Sequence, residues 1–95
     1  MSVADRRTRP ELFRKLHREE NERIYQLVRA FPGPTEYLCE CGRIDCGGLV
    51  SVMLEPHEFA DAVAMAGAAL VASGHEDPED EILLVGRGYV LVRPR

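Results

Sequence analysis

The chain has 95 residues, 45% of them apolar and 29% charged, the size and balance of one small globular domain rather than a disordered segment. Its longest mainly apolar run, Ala62 to Ala72, spans 11 residues with Gly67 inside it, against the roughly 20 that a membrane-spanning helix needs, so no transmembrane segment is expected. The net charge of −4 hides an asymmetry, because residues 1–31 sum to +3 and residues 32–95 to −7, a basic arm on an acidic body.

Residues 1–9 are polar and basic with no apolar signal-peptide core behind them, so a cytoplasmic location is expected, where cysteines stay reduced. We read this stretch as a flexible basic N-terminus and residues 10–95 as a single small domain. From Pro10 to about Phe31 the spacing predicts a helix (10–31), opened by Thr8 and Pro10 and stopped by Phe31-Pro32-Gly33-Pro34. Leu12, Phe13, Leu16, Ile24, Leu27, Val28 and Phe31 recur at helical intervals, but Glu19, Glu20, Asn21 and Glu22 thin the stripe, so packing through the C-terminal half is expected. Opposite charges four apart, Arg18 with Glu22 among them, suit a solvated face.

The body, 35–95, should hold strands at Glu36 to Cys41 and Leu49 to Leu54, then a helix from Pro56 to near Gly67. A short strand at Ala69 to Ala72, an acidic turn, and a hairpin of Glu81 to Val85 with Tyr89 to Val92 about Gly86-Arg87-Gly88 complete it. This order argues for an α+β fold: an N-terminal helix, a small mostly antiparallel sheet and one further helix.

Cys39-Glu40-Cys41-Gly42-Arg43-Ile44-Asp45-Cys46 is the segment whose composition asks for chemistry. Near a strand end, side chains two apart share a side, so Cys39 and Cys41 converge, and a glycine-containing turn can bring Cys46 back to them. Zinc in a closed structural site takes four Cys or His ligands in a tetrahedron. His75, in a turn after Gly74, is the favoured fourth ligand; His57, in the first turn of the second helix, or no histidine at all are the alternatives, and His17, in the charged first helix, reads as a solvated residue. C-x-C-x₄-C is less diagnostic than paired C-x₂-C, which leaves a metal-free or redox-active thiol cluster and an iron–sulfur centre as competing readings.

Tyr37-Leu38-Cys39-Glu40-Cys41-Gly42 with Cys46, Gly74-His75-Glu76, Gly88-Tyr89-Val90-Leu91-Val92, and the Phe13-Arg14 and Asn21-Glu22-Arg23-Ile24 stretches resemble a family of small proteins of high-GC, actinobacterial-type bacteria. The likeness runs from about Leu12 to Val92. It implies a four-ligand site on Cys39, Cys41, Cys46 and His75, and it carries no activity with it.

A three-cysteine, one-histidine set leaves no open position for activated water, so enzymatic activity is not expected, and Glu40, Asp45 and Glu76 read as solvated or ligand-supporting acids rather than general bases. The sequence therefore points to a zinc-stapled, non-enzymatic interaction or regulatory module, Zn²⁺ being its cofactor. The alternative is a metal- or redox-responsive regulator that uses the same thiolates. Arg6, Arg7 and Arg9 offer a weakly supported nucleic-acid contact, while Leu12, Phe13 and Leu16 suggest a protein partner or homodimer.

Overall fold

The computed structural model describes residues 3–43, 45–46 and 50–94, with the side chains of residues 3–10 left aside. Seven elements follow in chain order: α1 (Val3–Val28), β1 (Thr35–Leu38), β2 (Ser51–Leu54), α2 (Pro56–Val63), β3 (Ala69–Ala72), β4 (Glu81–Val85) and β5 (Tyr89–Arg93). They form an α+β fold. No helix among the described residues is long and apolar enough to cross a membrane.

Two antiparallel sheets replace the single one expected, a β1-β2 hairpin and a three-stranded sheet in the order β3-β5-β4. β1 ends at Leu38, short of the expected Cys41, because the chain soon changes partner: the Cys39 amide still donates to the Val50 carbonyl at 3.2 Å, but the Glu40 amide donates to the Leu70 carbonyl of β3 at 2.7 Å. That bond ties the first sheet to the edge of the second. β3 and β5 pair from Ala69 with Val92 to Ala72 with Tyr89, while a bulge between Ile82 and Leu84 shifts the register of edge strand β4. The Glu58 carboxylate reaches back to the Glu55 amide at 2.8 Å and, with Pro56, starts α2. α2 ends at Val63, before Gly67, because beyond it the chain tightens, Met65 N–H donating to the Ala62 carbonyl three residues back.

α1 opens at Val3 rather than at Pro10, so most of the segment expected as a flexible arm carries helix. Ala4, Arg6 and Arg7 are strong helix formers, and Pro10 removes a single ladder hydrogen bond without ending the element. The direction in which α1 packs also differs from the leucine pattern. Ile24 and Tyr25 touch the core, but Leu27 and Phe31 are 73% and 67% exposed. The core proper joins Tyr37, Val52 and Leu54 of the hairpin, Phe59 of α2, and Leu70, Val71 and Val92 of the second sheet. Tyr37 lies flat on Phe59, ring centroids 4.5 Å apart, and Tyr25 closes on the same ring from α1 at 5.6 Å.

Candidate metal centre

Cys39 and Cys41 leave the end of β1 with one residue between them, which turns both sulfurs to one side. Gly42 follows at φ +78°, a left-handed conformation that glycine adopts without strain, and the chain turns back toward Cys46. Across the site, Gly74 at φ +88° ends the β3 connection, and the His75 amide donates to the Ala72 carbonyl at 2.9 Å, fixing the turn that carries the imidazole. One ligating atom from each of Cys39, Cys41, Cys46 and His75 lies within 4.8 Å of all the others. Cys39 Sγ is 3.6 Å from His75 Nδ1. Ordinary zinc–sulfur and zinc–nitrogen bond lengths place tetrahedral S and N ligands about 3.5 Å apart, so the spacing suits a shared ion. These four residues could hold a metal ion.

His57 and His17 are not part of the cluster. His57 is exposed on α2, lining a groove with Asp61 and Met65, and His17 stacks on Phe13 within α1 at 6.3 Å.

The site is lopsided. Cys39 and Cys46 are buried, and the Ala72 amide donates to Cys39 Sγ at 3.2 Å, a contact that supports a thiolate. Cys41 and His75 are half-buried and border a cavity of about 210 Å³ that Arg14, Arg43, Asp77 and Asp80 also line. Without a cation, burial pushes the Cys39 thiol up to about 12, with the neighbouring Cys41 and Cys46 adding to the rise. Burial raises Cys41 as well. None of the three cysteines is in a disulfide.

Between the two cysteines, Glu40 points the other way and is 1% exposed. Arg18 donates to both of its oxygens, Nε to Oε2 and Nη2 to Oε1, each at 2.8 Å. Asn21 Nδ2 and the Leu70 amide each add a hydrogen bond of 2.8 Å. Arg18 also reaches the Ala68 carbonyl at 2.7 Å, while Asn21 both donates to the Leu38 carbonyl and accepts from the Leu38 amide, at 2.9 and 2.7 Å. The expectation of a solvated or ligand-supporting acid misses this clamp, and so does the pairing of Arg18 with Glu22. One signal was available in the sequence: in a C-x-C at a strand end the middle residue faces away from the ligands, toward whatever packs there.

Leu12 and Leu16 are about half exposed at 53% and 48%, and Phe13 is half-buried. The side chains of Arg6, Arg7 and Arg9 lie outside the described residues. No protein-family model, no curated protein and no solved structure matches the chain.

Proposed function

We propose that this chain is a small zinc-binding module whose metal is structural and whose role is not enzymatic. The observation that carries the reading is the convergence of Cys39, Cys41, Cys46 and His75 within 4.8 Å, from two segments that the fold brings together. Four protein ligands complete a tetrahedron and leave no position for a reactive water. Three thiolates favour zinc over the harder divalent ions. A second reading, a metal- or redox-responsive regulator, draws on the half-buried Cys41 facing a cavity with Arg14 and Arg43, where a small reagent can reach one ligand before the others.

Native mass spectrometry with elemental analysis tests the proposal directly: one equivalent of zinc per chain is expected after expression in zinc-replete medium. Cys41→Ser and Cys46→Ser should lose that equivalent, while His17→Ala and His57→Ala should keep it. A chain purified without metal, and unable to take up zinc or cobalt(II) when reduced, would reject the assignment.

A further inference from the structure

The outer side of α1 carries a pattern that the metal centre does not use. Leu12, Leu16, Glu20, Arg23, Leu27 and Phe31 follow one another at intervals of 4, 4, 3, 4 and 4 residues; at about 100° per residue this keeps the five that lie within α1 on one face, with Phe31 next in the same spacing. Arg18, Asn21 and Tyr25 look toward the body, so this face is the far side of the helix. Its apolar members are well exposed, Leu12 53%, Leu16 48%, Leu27 73% and Phe31 67%. Phe31 lies just past the helix end, held by a turn in which its amide donates to the Val28 carbonyl at 2.8 Å. Glu20 and Arg23 pair with each other at 3.0 Å and are both exposed.

Read from either end, the stripe runs apolar, apolar, charge, opposite charge, apolar, apolar. A surface that is complementary to its own reverse is what an isologous two-fold contact requires. We infer that this face of α1 is the contact by which two copies of the chain pair as antiparallel helices. In that register Leu12 of one copy meets Phe31 of the other, Leu16 meets Leu27, and Glu20 meets Arg23, each contact occurring twice. A parallel pair would set Glu20 against Glu20 and Arg23 against Arg23, so the charges select the antiparallel arrangement. The bodies, on the opposite side of each helix, stay outside the contact. Exposed leucines along about four turns of α1, and a phenylalanine in the turn that follows, then have a partner surface rather than solvent.

This inference does not rest on the metal. Analytical ultracentrifugation of the full chain over a series of concentrations should show a reversible monomer–dimer equilibrium. Leu16→Gln and Leu27→Gln, both at exposed positions, should each weaken dimerisation by at least about tenfold without lowering monomer stability. Glu20→Arg alone should weaken the dimer by placing Arg against Arg, and Glu20→Arg combined with Arg23→Glu should restore it. A monomer at every concentration overturns the proposal. So does a dimer indifferent to the leucine changes, or one that the double charge swap fails to restore. Metal content and zinc uptake measured on the same samples separate the two questions, since a chain that dimerises in this pattern yet takes up no zinc when reduced upholds the interface while rejecting the zinc assignment.

Discussion

Glu40 shows how much one side chain can be asked to hold. Its carboxylate takes four charge-assisted or amide hydrogen bonds, and its partner Arg18 has a side chain only 21% exposed. Removing one member of a pair buried this deeply strands the other charge, a loss of about 3–5 kcal/mol. Glu40→Gln should therefore cost about 3 kcal/mol in urea unfolding, even though the amide nearly matches the carboxylate in size. Asp45→Asn, an exposed acid in the same cysteine loop, should stay within about 0.5 kcal/mol. Equal, small losses at the two positions would show that the clamp contributes little to stability.

At the scale of elements, α1 is turned inside out relative to an ordinary amphipathic helix. Its inward face presents Arg18 and Asn21 to the end of β1, and its leucines face away. Asn21→Leu should undock it, because the Leu38 amide and carbonyl would both lose their partner, at about 1–3 kcal/mol for each buried group left unsatisfied. Hydrogen–deuterium exchange should then accelerate through α1 while β3 and β5 stay protected; uniform acceleration would mean that the helix is not a separate unit. The strands were the legible part of the sequence: β3 begins and ends where expected, as does β4, since short runs of apolar residues between turn residues and glycines leave little choice of boundary. The three-cysteine loop and its histidine were legible for a related reason, ligand chemistry being written in residue type. The docking of α1 was not. Hydrophobic spacing identifies an apolar stripe, but the stripe does not say which way it faces when polar residues make the tertiary contacts. Nor could it show that β1 stops at Leu38, because that depends on Glu40 finding Leu70, 30 residues away.

For the molecule as a whole, the proposed ion links the β1 end to the turn after β3, at the edge of a small core. Structural zinc contributes apparent folding free energy on the order of 10 kcal/mol, so chelation at neutral pH should lower the melting temperature steeply and cooperatively. It should also change the pH range in which stability is lost. In the metal-free fold the Cys39 thiol is raised from 9.0 to about 12, so the folded state holds that proton more tightly than the unfolded chain. The corresponding stability is complete below about pH 9 and drains away as pH rises toward 12. In the metal-loaded protein protons compete with the ion, and stability instead falls on acidification. Melting curves without chelator should lose stability on acidification, and curves with chelator should lose the thiol contribution only above about pH 9; curves that match with and without chelator would argue against a structural metal.

The clamp around Glu40 also sets the order in which the chain can assemble. α1 is built from local contacts and can form as soon as it is made, yet Arg18 needs the Ala68 carbonyl, 50 residues downstream, and Glu40 needs the Leu70 amide. Until β3 exists, the helix can meet Leu38 and Glu40, but the clamp lacks the Ala68 carbonyl and Leu70 amide that complete it. Five residues after Leu70 comes His75, the last of the four converging ligands. Completion of the clamp and closure of the ligand set thus wait for the same short stretch of chain, and a growing polypeptide reaches both in nearly the same moment of its synthesis.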